Sequence, residues 1–152
     1  MLEGLSREEI DLITALAKSG VRFMVVGMGA AILQNAPGVT QDIDLWFDGG
    51  QTDRLTKACR QAGATYYWRT NPPEIGGPGL DQIDVVWHCH GLASFAEEYE
   101  GAIEVEVSPD LVVKVLPLER ILASKRAAGR SKDKATIPML RDAIRTMRHL
   151  KP

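Results

Sequence analysis

Residues 25–47 read VVGMGAAILQNAPGVTQDIDLWF, and the reading of this stretch decides the fold. An apolar strand is expected over residues 21–26, then a glycine turn at 27–29 and a small-residue helix at 30–34. Asp42-Ile43-Asp44 opens a second strand. Side chains alternate along a strand, so Asp42 and Asp44 project from one face, Ile43 and Leu45 from the other. Same-face neighbours lie about 6.6 Å apart, which lets both carboxylates reach one metal ion. Two hard oxygen ligands beside a glycine turn at a helix start suit Mg²⁺ carrying a polyphosphate. For an Asp-x-Asp pair alone, a solvated sheet face is the competing account.

Working outward, Ser6 and Glu9 form a capping box for a helix whose stripe of Ile10, Ile13, Leu16 and Ala17 ends at Gly20. A second amphipathic helix is expected over 52–62 and a short strand over 64–68. Residues 71–79 hold three prolines and three glycines, which argues against regular structure and leaves a lip over a site or a surface connection. A strand over 82–87 puts Asp84 and Val86 on one face, with Ile83, Val85 and Trp87 on the other. A weak helix at 94–100 precedes a hairpin of strands 103–107 and 111–115. Pro117 suits the first position of a helix running to Ala128 and stopped by Gly129. Pro138 implies that residues 131–150 form a kinked helix or two pieces. The sum is an α+β chain, α/β-like in places: a mixed β-sheet flanked by helices with a C-terminal helical tail.

With 152 residues and 45% apolar content, the chain is long enough for one domain with a real core, about 1–116, and a helical tail, about 117–152. The net charge of −2 excludes a generically basic nucleic-acid binder, but the charge is segregated. Residues 114–152 hold 11 Lys and Arg against 3 Asp and Glu, a net of +8, and the first 113 residues carry −10. Two cysteines, Cys59 and Cys89, with no CxxC spacing, exclude a disulfide framework. The polar start MLEGLSREE is no secretory signal, and the apolar run at 23–33 is too short to span a membrane. A soluble, reduced, cytoplasmic protein is expected.

Asp84 is the third acid of interest, because a charge on the apolar strand IDVVW is costly unless paired or metal-bound. Strands carrying Asp42, Asp44 and Asp84 side by side would converge three carboxylates. Lys125 follows Ile121 by four residues and Leu118 by seven, on or beside a buried stripe. It either snorkels or points into an acidic, phosphate-loaded pocket. His88-Cys89-His90 offers metal-ligand types but lacks a second ligand pair, which favours strand-end residues at a pocket edge over zinc. Gly27-Met28-Gly29 invites a dinucleotide-binding reading that Ile32 opposes, since a third glycine is needed there for close helix–strand packing. Tyr66, Tyr67 and Trp68 offer a base platform, a dimer contact or ordinary packing, the last being the default.

These residues resemble the nucleotidyltransferase superfamily related to DNA polymerase β, over nearly the whole chain. The resemblance rests on VVGMGAA, on Thr40-Gln41-Asp42-Ile43-Asp44-Leu45, on Asp84 in IDVVW, and on LPLERILASKRAAGRSKD with Lys125, Arg130, Lys132 and Asp133. It is nearest to the small bacterial branch that includes lincosamide-type transferases and AbiEii-like toxins. The resemblance implies transfer of an NMP from an NTP to an acceptor hydroxyl with release of pyrophosphate. Asp42, Asp44 and Asp84 would be catalytic and would hold two Mg²⁺ ions, with Mn²⁺ as a substitute, and Asp84 would accept the proton. Gly27, Met28, Thr40, Lys125 and Lys132 would bind the nucleotide. The acceptor implied is tRNA or another RNA, a small molecule such as an antibiotic, or a protein. Two positions depart from the family pattern: Met28 replaces a second glycine or serine, and Gly38 replaces a basic residue. They leave an inactive nucleotide- or partner-binding module of the same fold as the alternative.

Overall fold

The computed structural model describes residues 5–38 and 42–150. Helix α1, Arg7–Lys18, begins at the Ser6–Glu9 capping box, and both reciprocal bonds are present. Strand β1, Phe23–Val26, is wholly buried and runs directly into α2, Gly27–Leu33. The expected glycine turn is therefore the first turn of the helix itself. Strand β2, Ile43–Phe47, leads into α3, Thr52–Gln61. Strands β3, Thr65–Tyr67, and β4, Glu74–Gly76, pair antiparallel with each other apart from the main sheet. Then follow β5, Ile83–Val86; α4, Phe95–Glu100; β6, Ile103–Ser108; and β7, Leu111–Val115. The chain finishes with α5, Leu118–Ala128, and α6, Ser131–Leu150. The main sheet has the order β5-β2-β1-β7-β6. Its β2–β5 and β1–β7 pairings are parallel; β1–β2 and β6–β7 are antiparallel. The mixed sheet flanked by helices matches the expected class. Among the described residues no helix is long and apolar enough to cross a membrane.

One expectation needs correction, and one open alternative is decided. Residues 71–79 are not devoid of regular structure, because β4 lies inside them. Pro72 and Pro73 precede the strand and so remove no donor from its ladder. Ile75 is buried opposite Tyr66, and the Trp87 indole donates to the Pro73 carbonyl at 3.0 Å. The aromatic run divides accordingly: Tyr66 packs, while Tyr67 and Trp68 stay exposed. The alternative at Pro138 is decided for a single helix of 20 residues rather than two pieces. A proline removes one backbone donor. Buried Leu140, Ala143 and Ile144 hold the half of α6 that follows it.

Buried polar side chains set how these elements meet. Gln34 ends α2, and its amide donates to the Leu116 carbonyl at 2.8 Å while its oxygen accepts from the Leu118 amide at 3.2 Å. That clamp fixes where α5 starts. Glu9 does the same for β5, since its carboxylate accepts from the Gln82 amide at 3.2 Å as well as from Ser6. Both side chains are more than nine-tenths buried, so an unpaired amide or carboxylate there would cost about 1–3 kcal/mol.

Candidate active site

The sheet pairing brings two acids together. In the parallel β2–β5 register Asp44 lies beside Asp84, and in the antiparallel β1–β2 register it lies beside Val26. Asp44 is half-buried and Asp84 exposed. Burial, and then the Asp84 charge, raise the Asp44 pKa to about 6. The Asp84 pKa also rises, through burial and the Asp42 charge. The hydrogen bond between the two carboxyls raises Asp44 and lowers Asp84, so a protonated Asp44 donates and Asp84 accepts.

Asp42 sits one residue ahead of β2 and is exposed. Its charge reaches both partners, yet the pleat of the strand does not hold it. Among the described residues no three His, Cys, Asp or Glu side chains are drawn together as a metal cage. What the fold supplies is a pair with a third acid close by. The pair fits a divalent cation on its own chemistry: adjacent hard oxygens that repel one another, with no salt bridge to either among the described residues.

Gly27 makes room for this arrangement. Its φ is +67°, and a Cβ placed there would lie 2.5 Å from Asp44 Oδ2. The α2 start therefore presses its backbone against the carboxylate. Met28 is half-buried, packs against the core, and is not among the cavity-lining residues. Gly38 has a backbone reason, since its φ of +124° is one that residues with a side chain rarely adopt. Thr40 lies outside the described residues.

Asp44 opens into a cavity of about 250 Å³. Its walls include Gly27 and Val86 from the sheet side, Lys125 and Ser124 from α5, and His88 and His90 from the loop after β5. None of residues 71–79 lines it. Lys125 points inward: its side chain is 18% exposed, and its charge lowers the Asp44 pKa. Lys132 is exposed and acts on Asp84 from a distance, without lining the cavity. His88 and His90 meet edge to face, ring centroids 5.7 Å apart, both exposed at the rim. Cys89 between them is buried, and burial followed by the Asp44 charge pushes its thiol up to about 12. All three residues line the cavity, as the pocket-edge reading of this tripeptide expects.

Asp133 holds the basic wall in place. It is fully buried, accepts from Lys125 Nζ at 3.2 Å and from Arg130 Nε at 2.7 Å, and also takes the Arg130 amide. The Arg130 hydrogen bond and then the Lys125 one hold its carboxyl down at about 2. A group with a lowered folded pKa stabilises above its unfolded value, near 3.8, and that contribution is lost as pH falls through about 2. Asp133→Asn should therefore lose about 1–3 kcal/mol at pH 7, because it leaves Lys125 half-buried without its counter-charge. The difference between urea titrations of both chains should shrink steadily as pH falls from about 4 toward 2; a constant difference over that range would refute the ion-pair account. Gly91 is a further requirement that sequence reading passed over. With φ +72° and a Cβ position that would overlap Ala127, it lets the rim loop close on α5.

No protein-family model matches the chain, and no curated protein does. Among solved structures it is similar to ANT(2″)-Ia, seen in its crystal structure in complex with adenylyl-2″-tobramycin. The match covers 89% of this chain and 86% of that one, with a TM-score of 0.57 and 16% identity. The fold is the nucleotidyltransferase fold. Identity at this level speaks for architecture alone, so the chemistry must be argued from the residues.

Proposed function

We propose that this chain is a nucleotidyltransferase, moving an NMP from an NTP to an acceptor hydroxyl. The observation that carries the reading is the in-register Asp44–Asp84 pair, whose Asp44 lines the cavity together with Gly27 and Lys125. Such a pair is costly to the fold by itself, and it suits a site that binds a cation with a polyphosphate. The similar ANT(2″)-Ia structure contains a nucleotidylated small molecule, which agrees with transfer onto a hydroxyl. The tail motif with Lys125, Arg130 and Asp133 favours the lincosamide-type or AbiEii-like branch.

Asp44 and Asp84, with Asp42 beside them, would hold the divalent cation, Mg²⁺ or Mn²⁺, and two ions where the third acid turns in. When bound, that cation neutralises triphosphate charge and lowers the pKa of the acceptor hydroxyl. Asp84, the more solvated member of the pair, accepts the hydroxyl proton. The acceptor oxygen attacks the α-phosphorus, the bond to the bridging oxygen of the β-phosphate breaks, and pyrophosphate leaves. Lys125, steadied by Asp133, faces the charge that builds on the phosphates. The backbone at Gly27 and Met28 approaches the nucleotide, Thr40 is its neighbour in the motif, and Lys132 adds distant positive field. The acceptor at this level is RNA, a small molecule or a protein.

The test is label transfer from each of the four α-labelled NTPs in a cell lysate, beside Asp42→Ala/Asp44→Ala. Label entering one fraction with the parent chain alone is the expected result. Mg²⁺-dependent NTP binding without any transfer would instead favour the binding module.

A further inference from the structure

The exposed side of α6 carries a line of cations leading away from the cavity. Arg130, Lys134, Arg141, Arg145 and Arg148 recur at intervals of 4, 7, 4 and 3 residues, and all five are exposed. At 3.6 residues per turn, these intervals keep them within a wedge of about 60°. The Lys134 amide donates to the Arg130 carbonyl at 2.9 Å, so Arg130 belongs to the same helical spacing. Arg130 also lines the cavity. The line therefore starts at the site and runs about 27 Å along the helix.

These charges are largely unspent. Arg130 is paired with buried Asp133, but among the described residues Lys134, Arg141 and Arg148 make no ion pair, and Arg145 has only an exposed contact with Asp142 at 3.4 Å. Such a pair contributes little. The remainder of the chain before residue 114 is net acidic, so positive potential is concentrated on this tail.

We propose that the line is a track for a single RNA strand whose 3′ end enters the cavity as the acceptor. The inference rests on the transfer reading and narrows its acceptor. Regularly spaced cations one to two helical turns apart match a regularly charged polymer, and a compact acceptor has no use for their length. A polyamine would meet only repulsion along them. At the rim, exposed His88 and His90 offer ring nitrogens to a terminal ribose and ring faces to its base. The 2′-hydroxyl is the group by which a protein separates RNA from DNA.

The test measures binding of a short fluorescent single-stranded RNA to the full chain carrying Asp44→Asn, which cannot transfer. Binding should weaken steeply with salt. Arg141→Glu/Arg145→Glu/Arg148→Glu should lower affinity at least tenfold (about that factor is expected from three lost phosphate contacts) and flatten the salt slope. Circular dichroism should show the triple variant folded, since all three side chains are exposed. A 4-thiouridine at the RNA 3′ end should crosslink to cavity residues, and one at the 5′ end near Arg148. Equal binding by the triple variant, DNA bound as tightly as RNA, displacement by polyglutamate of equal charge, or reversed crosslinks would each overturn the track. Those results leave the transfer reading standing. Stripe-dependent RNA binding with no label transfer by the parent chain would overturn the transfer reading and keep the track.

Discussion

Replacing Asp44 with asparagine is expected to abolish nucleotidyl transfer while making the cation-free protein more stable at pH 8. On the proposed transfer reading the loss should reach about a thousandfold or more, since a charge that would hold the cation is removed. The gain follows from the raised pKa. Asp44 ionises near 3.8 when unfolded and at about 6 when folded. Its favourable contribution is thus fully present below about pH 4 and is lost as pH rises through about 6. Above that, an ionised Asp44 faces Asp84 in a half-buried position. An asparagine amide makes the hydrogen bond to Asp84 that protonated Asp44 makes, without the charge. The variant should gain about 1–3 kcal/mol at pH 8 and nothing at pH 4. Mg²⁺ should raise the parent's melting temperature at pH 8 and leave the variant's nearly unchanged. Thermal melts at both pH values, with and without Mg²⁺, measure all of this. An asparagine variant less stable than its parent at pH 8 would mean that the pair is not strained.

The local chemistry of this site was legible in the chain, and the convergence of its acids could be expected, but the pairing that produces it could not be read. Asp42, Asp44, Asp84 and Lys125 stand out because each is a charge in an apolar pattern, and that conflict is visible residue by residue. The partnership of Asp44 with Asp84 depends on β5 joining β2 in parallel, across 40 residues, in a strand order that no local pattern encodes. The same limit hid Gln34 and Glu9, which look like ordinary polar residues and act as buried clamps between distant segments. It also hid the role of Asp133 beneath Lys125, although the motif around it drew notice. Prolines were the weakest guide. Pro72 and Pro73 sit just before a strand and take no donor from it, while Pro138 sits inside one helix whose following half is held by buried Leu140. Of the departures from the family pattern, Gly38 is explained by its backbone, φ +124°, and Met28 packs against the core.

Gly27→Ala should both destabilise the fold and inactivate it, through one contact that a control can isolate. Gly27 needs its left-handed backbone, which costs alanine about 1 kcal/mol. The larger effect is the new methyl group, 2.5 Å from Asp44 Oδ2 if nothing moves. Either the carboxylate swings away from Asp84 or α2 lifts off the sheet, and both displace the groups that define the site. A total loss of about 2–4 kcal/mol is expected, with transfer reduced to background. Gly20→Ala supplies the comparison: φ is +71° there, and a Cβ would meet nothing within 4 Å. It should lose only the backbone share, about 1 kcal/mol, and keep full activity. Adding Asp44→Ala to Gly27→Ala removes the carboxylate that the methyl strikes. The double variant should then recover stability relative to Gly27→Ala, a coupling of about 1–2 kcal/mol in a double-mutant cycle. Urea denaturation of the four chains reads it directly. If Gly27→Ala and Gly20→Ala lose equal stability and the cycle shows no coupling, Gly27 serves the turn alone and the carboxylate owes nothing to its missing side chain.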